Sequence, residues 1–278
     1  MEKNDGISSI LPERKGEKRS SMRRVHKVRT KTRRALYLFL FFLAKPTELT
    51  FFIGIPLVAL GQLINLITYG TLRKRDTLVT WGPYAWCRNP FYFGTLLSDF
   101  GFCAMCNPAD LPVLVVTAGY AIAQGTFFYL QILKEEKLLL TVHGSGYEEY
   151  CQKVRWRLLP SIVSAIRNGG FRFKWSAKLA LYNRIFSRVV SAAFWVCAFW
   201  GVKEMTGSEQ IRIINMNFSW RALLHNPYII LTACATAIFY YLLRFAEGRE
   251  RERARAKELE SAPAAVHAAG HSLQKSEG

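Results

Sequence analysis

The chain lacks most of the patterns that mark the commoner enzyme classes. It has five histidines, none spaced as HExxH, and no GxGxxG run. That speaks against a zinc hydrolase and against a Rossmann dinucleotide site. Gly144-Ser145-Gly146 is glycine-rich, but it follows a helical pattern rather than a strand. Cysteines are few and scattered, at 87, 103, 106, 151, 197 and 234. Cys103-Ala-Met-Cys106 alone has CxxC spacing, inside an apolar run, and no second pair completes a zinc site. All six therefore read as reduced and structural, and no metal is expected. Acid is scarce as well, with 20 Asp and Glu against 38 Lys and Arg, a net charge of +18.

What is abundant is apolar surface, half of all residues, and it is segregated from the charge. Residues 111–133 carry no charged side chain. As a helix they would extend roughly 34 Å, enough to cross a bilayer. Residues 1–34 carry twelve Lys and Arg against four Asp and Glu. They read as a solvated arm that orients the chain and meets anionic lipid headgroups, in preference to a nucleic-acid-binding arm. No nucleic-acid partner is expected.

The pattern predicts an all-α, polytopic membrane protein. It has about six transmembrane or re-entrant helices in hairpins, plus an amphipathic interfacial helix. Apolar segments lie at 35–45, 49–70, 91–106, 111–133, 189–202 and 227–243. Asn107-Pro108-Ala109-Asp110 reads as a turn, and the fourth segment continues as helix to about Val142 before the Gly144 stop. Tyr147, Tyr150, Cys151, Val154 and Leu158 then recur at helical spacing, opposite charged residues. That periodicity predicts the interfacial helix at the membrane surface.

Five regions are expected: a basic arm at 1–34, a membrane core at 35–165, a basic connector at 166–188, a C-terminal hairpin at 189–244, and a charged, partly disordered tail at 245–278. Alternate connectors separate by charge. Residues 1–34, 73–90, 134–188 and 244–257 are net +8, +3, +7 and +3, whereas 45–48, 107–110 and 203–221 are net 0, −1 and +1. The positive-inside rule then places both termini in the cytoplasm.

This topology brings two polar clusters to one side. The first is Gly82-Pro83-Tyr84-Ala85-Trp86-Cys87-Arg88-Asn89-Pro90-Phe91-Tyr92-Phe93-Gly94, following the basic cluster Arg73-Lys74-Arg75. The second is Lys134-Glu135-Glu136-Lys137 at the far end of the next hairpin. Taken singly, Arg88 reads as a headgroup anchor, the glutamates as a solvated helix end, and the aromatics as interfacial belt residues. Adjacent glutamates point about 100° apart on a helix, so at most one of the two is expected to face the pocket squarely. Asp99, within an apolar segment, is a functional candidate by position, with a hydrogen-bonded structural role as the alternative.

Together, at this spacing and in this order, the motifs resemble the isoprenylcysteine carboxyl methyltransferase and phospholipid methyltransferase superfamily. The resemblance covers roughly residues 50–165 and includes Gly82-Pro83-Tyr84, Arg88-Asn89-Pro90, Tyr92, Gly94, Glu135-Glu136, Leu139, Gly144, Tyr147, Tyr150, Val154 and Pro160. It departs from the usual pattern at Asn89, often histidine, and at Asn65, often arginine.

The resemblance implies methyl transfer from S-adenosylmethionine to a lipophilic small-molecule or lipid acceptor, within a membrane. The cofactor site would comprise Gly82, Tyr84, Arg88, Asn89, Pro90, Tyr92, Gly94, Glu135 and Glu136, with the catalytic residues unassigned. A carboxylate could meet Arg88, an ammonium or a ribose diol one glutamate, and the sulfonium or adenine could meet Tyr84, Trp86, Phe91 or Tyr92. The short spacing and Asn89 resemble bacterial members, so a bacterial inner membrane is expected. Two other readings stand beside it: a non-catalytic scaffold or lipid-binding protein, and a nicotinamide-dependent reductase of the same superfamily.

Overall fold

The computed structural model describes residues 32–33, 35–72, 77–172, 174–206 and 227–274. The basic arm before Thr32 and the Arg73-Lys74-Arg75 cluster lie outside the described residues. Every regular element among the described residues is helical.

A short helix α1 (residues 35–43) leads through Pro46 into α2 (Glu48–Thr71). Thr47 and Thr50 start α2 as a reciprocal cap, each side chain accepting from the other's backbone N–H. α2 packs antiparallel on α4 (Pro90–Met105), and the seam is made of glycines at seven-residue spacing. A Cβ on Gly61 would lie 2.5 Å from the carbonyl oxygen of Gly94, and one on Gly101 would lie 2.8 Å from that of Gly54. Small residues let the two backbones touch, which is how helices gain packing energy where lipid removes the hydrophobic drive. Gln62 Nε2 donates to Ser98 Oγ at 2.9 Å across the same seam.

The Asn107–Asp110 turn is present, with Asn107 at φ 64° and its carbonyl accepting from Asp110 N at 3.1 Å. It leads into α5 (Leu111–His143), which 33 residues make roughly 50 Å long, well beyond an apolar layer of about 30 Å. The excess carries Glu135 and Glu136 past the apolar stretch. Val113, Thr117, Tyr120, Gln124, Phe128 and Ile132 form its single buried stripe.

α2 and α5 are the two helices, among the described residues, long and apolar enough to cross a membrane. Only 39% and 22% of their apolar windows are buried, so most of that surface faces outward, unlike the core helix of a soluble protein. The other expected spans are shorter or less apolar. α4 has 16 residues, and α9 (Phe186–Thr206) has 21 with Arg188 and Lys203 near its ends.

Asp99 is 2% exposed and fully engaged. Tyr37 donates to its Oδ1 at 2.6 Å, Tyr120 to its Oδ2 at 2.8 Å, and Arg33 Nε sits 2.9 Å from Oδ1. This network ties α1 to the α4–α5 hairpin above a core of Leu40, Phe102, Met105 and Phe199. Its partners support the structural alternative for Asp99.

Two expectations are corrected. The helix after Gly144, α6 (Ser145–Lys153), stops at Lys153 instead of reaching Leu158. The carbonyls of Trp156 and Arg157 are instead turned toward Arg88 N and Asn89 N, at 2.9 and 3.0 Å. The apolar face of α6 is also covered by protein, since Tyr147, Tyr150 and Val154 pack with Leu78 and Leu139. Past α7 (Ile162–Arg167), α8 (Ala177–Tyr182) and α9, the last helix α10 runs without a break from Pro227 to Gln274.

Candidate active site

The Gly82–Gly94 segment is held backbone group by backbone group. Gly82 takes φ 62° and ψ −136°, a conformation open to glycine, and starts the single turn α3 (Pro83–Trp86). The three carbonyls that follow Pro83 each accept a bond from α6 or the segment after it. Tyr84 O accepts from Tyr150 Oη at 2.8 Å, Ala85 O from Ser164 Oγ at 2.8 Å, and Trp86 O from Ser161 N at 3.0 Å. Trp86 Nε1 donates to Gly170 O at 2.9 Å, so this ring is spent on the clamp.

Arg88 and Asn89 emerge from this clamp. Asn89 is the N-cap residue of α4, but its side chain makes no capping bond. Its backbone N and its Nδ2 both donate to Arg157 O, at 3.0 and 3.1 Å. Pro90 fills the first turn of α4, where a missing N–H costs nothing. Gly94 lies in the α2–α4 seam, its missing Cβ replaced by Asn65 Oδ1 and Gly61 O. Gly82, Asn89, Pro90 and Gly94 therefore shape the backbone.

The side chains that meet are Arg88, Tyr92, Glu135 and Glu136. Arg88 Nε lies 3.3 Å from Glu136 Oε1, with the two side chains 10% and 11% exposed. They are close but misaligned, and neither atom makes a hydrogen bond. Glu136 Oε2 accepts from Arg157 Nε at 3.1 Å. Tyr92 donates to Glu135 Oε1 at 2.8 Å, and Gln131 Nε2 donates to the same oxygen at 3.1 Å. Both glutamates thus face the segment, contrary to the expectation that at most one would. The segment wraps the end of α5, reaching Glu135 from α4 and Glu136 from the turn before it.

Burial disfavours the Arg88 charge, yet the neighbouring Cys151 side chain and the Glu136 carboxylate outweigh it and hold the guanidinium above its ordinary value. Burial, followed by Glu136, pushes the Tyr147 hydroxyl up. Burial also raises the Tyr84 hydroxyl, with Tyr69 and Glu135 adding to it. Sequence reading missed the sites of Arg157, Gln131, Tyr147 and Cys151. Gln131 and Glu135 stand four apart on one helix face, a readable signal. Arg157 carried none, because its approach depends on the early end of α6.

A cavity of about 450 Å³ lies behind Tyr150, lined by Thr80, Gly146, Glu149, Tyr150, Lys153, Val154 and Asn168. None of the nine expected site residues lines it.

No family profile matches the chain, and no solved structure matches it significantly. Known proteins do. A protein-S-isoprenylcysteine O-methyltransferase of Xenopus laevis is 36% identical over 95 residues, 34% of this chain and 31% of that protein. A probable protein-S-isoprenylcysteine O-methyltransferase of Oryza sativa subsp. indica is 30% identical over 116 residues, 37% of this chain and 58% of that protein. The cobalt-zinc-cadmium resistance protein CzcN of Cupriavidus metallidurans is 34% identical over 103 residues, 37% and 43% of the two chains. The chain thus spans between about a third and three-fifths of the length of these relatives. Over the part that aligns, the chain is similar to the protein-S-isoprenylcysteine O-methyltransferases.

Proposed function

We propose that the protein is an integral membrane methyltransferase that moves a methyl group from S-adenosylmethionine to a lipophilic acceptor. The acceptor is a prenylcysteine-type carboxylate, a phospholipid amine or a similar amphiphile. Both termini face the cytoplasm on this reading, and so does the mouth between Arg88 and Glu136, in keeping with the excess of basic residues in its connectors.

One observation carries the reading. Arg88 Nε and Glu136 Oε1 are buried side by side without a hydrogen bond, at the end of a membrane-length helix. Buried polar atoms are nearly always satisfied, so such a pair fits a ligand bearing both an anionic and a cationic group. The amino-acid end of S-adenosylmethionine has both. Arg88 would hold its carboxylate through a charge-assisted fork, and Glu136 its ammonium. Tyr92 and Glu135 would orient the ribose hydroxyls.

When bound, the cofactor supplies a methyl group on a sulfonium, an electrophile that needs alignment with its acceptor more than acid–base help. The chain's part is therefore positioning. The clamped backbone of residues 82–89 fixes Arg88, and the Tyr92–Glu135 bond fixes the end of α5. Tyr147 and Cys151 lie beside the Arg88–Glu136 pair, and the burial of the pair strengthens every charge interaction there.

The test uses purified full-length protein, labelled S-adenosylmethionine and a membrane lipid extract containing prenylcysteine analogues. Label entering the lipid phase, with the product identified by mass spectrometry, supports the reading and names the acceptor. Saturable cofactor binding without any transfer would leave a lipid-binding relative of the enzymes in its place.

A further inference from the structure

A second polar cluster lies where the C-terminal helices meet the membrane core. The α8–α9 turn places Arg184 at φ 59°, and Arg188 follows one helical turn later. Arg188 donates to Tyr69 Oη at 2.9 Å, and its guanidinium lies 5.0 Å from the Tyr69 ring centre and 5.4 Å from that of Phe91. Arg251, from α10, donates its Nε to Tyr182 O at 2.7 Å.

These three arginines are short of counter-charge. Among the described residues no carboxylate lies within 4 Å of any of them. Glu247 is fully buried nearby and is the one carboxylate that favours the Arg251 charge. Its Oε1 accepts from Ser187 N at 2.9 Å, at the start of α9, and its Oε2 has no hydrogen-bond partner, so one carboxylate stands against three guanidinium groups. The Nε of Arg184 is buried and has no hydrogen-bond partner. The charges also act on one another: burial, then Arg184, hold the Arg251 guanidinium below its ordinary value, and Arg188 adds to this.

Like charges gathered in a half-buried turn at an energetic cost call for an anion. Planar guanidinium forks match phosphate oxygens better than they match any single-point acceptor. The surroundings suit an amphiphile. Tyr69 and Phe91 sit at the ends of α2 and α4, at the level of the Arg88–Glu136 mouth. The α10 turns leading to Arg251 expose Tyr241, Leu242 and Phe245, by 72%, 61% and 67%.

We propose that Arg184, Arg188 and Arg251 form a phosphate-binding site at the membrane surface, separate from the Arg88–Glu136 pair. The phosphate belongs to a phospholipid headgroup or to a soluble phosphate compound, and the test separates the two. The site does not depend on the methyl-transfer reading.

Full-length protein in a neutral detergent is titrated with dihexanoyl phosphatidylglycerol, inorganic phosphate and dihexanoylglycerol, with binding followed by native mass spectrometry. Phosphatidylglycerol is expected to bind at least five-fold tighter than the phosphate-free diacylglycerol. Arg184→Gln and Arg188→Gln should each remove most of that difference, and Arg244→Gln, on the exposed face of α10, should keep it. Competition by inorganic phosphate assigns the site to a soluble anion, and failure to compete assigns it to a lipid headgroup. Equal binding of the two lipids, with no binding of inorganic phosphate, would overturn the proposal. So would wild-type affinity in both variants. Melting temperatures check folding, and Arg184→Gln decides the matter if Arg188→Gln unfolds, because the Arg184 Nε holds nothing in place.

Discussion

Arg88 Nε lies 3.3 Å from Glu136 Oε1, joining the turn before α4 to the far end of α5. The two helices diverge from a tight turn at their other end, so this contact closes the hairpin at its open end. It does so with a buried, misaligned ion pair. That combination is costly for stability alone, since a buried charge pair regains its desolvation penalty only with good geometry and full hydrogen bonding. A polar ligand between or beside the two groups accounts for it.

The glycine seam is the first place to test the fold. Gly61→Leu or Gly101→Leu would push a side chain into opposing backbone 2.5–2.8 Å from its Cβ. Overpacking of this kind costs about 1–3 kcal/mol, and more where backbone must move. A drop in melting temperature in detergent is expected for both. Gly125→Ala, with nothing within 4 Å, should melt like the wild type.

Asp99 is the second. Asp99→Ala removes the acceptor of Tyr37 and Tyr120 and strands Arg33 against the core. Breaking an enclosed pair costs about 3–5 kcal/mol, but Arg33 keeps some solvent contact, so about 2 kcal/mol is the expected loss. Thermal unfolding measures it, and Tyr120→Phe should lose less. An unchanged Asp99→Ala melting temperature together with abolished methyl transfer would reassign Asp99 from structure to catalysis.

Much of this was legible in the sequence for physical reasons. The charge-free run at 111–133, the Asn107–Asp110 turn and the Gly144 stop each rest on local chemistry, and each element stands where that chemistry put it. The meeting of Arg88 with Glu136 followed from alternating connectors and the ordered motifs. The end of α6 did not follow, because the periodicity of Tyr147, Tyr150 and Val154 continues to Leu158. What stops the helix is long-range: Arg88 N and Asn89 N capture the carbonyls of Trp156 and Arg157. The facing of both glutamates was hidden likewise, since helix geometry says where two side chains point and nothing about a partner that wraps around them. Arg184 and Arg188 read as ordinary members of a basic connector until α10 folded back with Arg251.

The clamp around α3 gives a chemical prediction. Cys87 is 1% exposed, and burial pushes its thiol up to about 12. The ordinary thiol value is about 8.5, so the folded state holds the proton that the unfolded chain gives up above that pH. Folding then binds a proton, and this contribution to stability is complete below about pH 8.5 and falls away as pH rises toward about 12. Iodoacetamide at pH 8 should leave Cys87 unlabelled in the folded protein and label it after denaturation, read by peptide mass spectrometry. Rapid labelling of Cys87 in the folded protein would mean that the backbone clamp opens.

The central claim is that Arg88 and Glu136 hold the amino-acid end of S-adenosylmethionine. Equilibrium binding of labelled S-adenosylmethionine to full-length wild type, Arg88→Ala and Glu136→Ala tests it most directly, with melting temperatures to confirm folding. Charge-assisted contacts of about 1.5–3 kcal/mol correspond to at least ten-fold weaker binding in each folded variant. Saturable wild-type binding with that loss in both is the predicted result. Binding that survives both substitutions at wild-type strength, or no binding by the wild type, would contradict it.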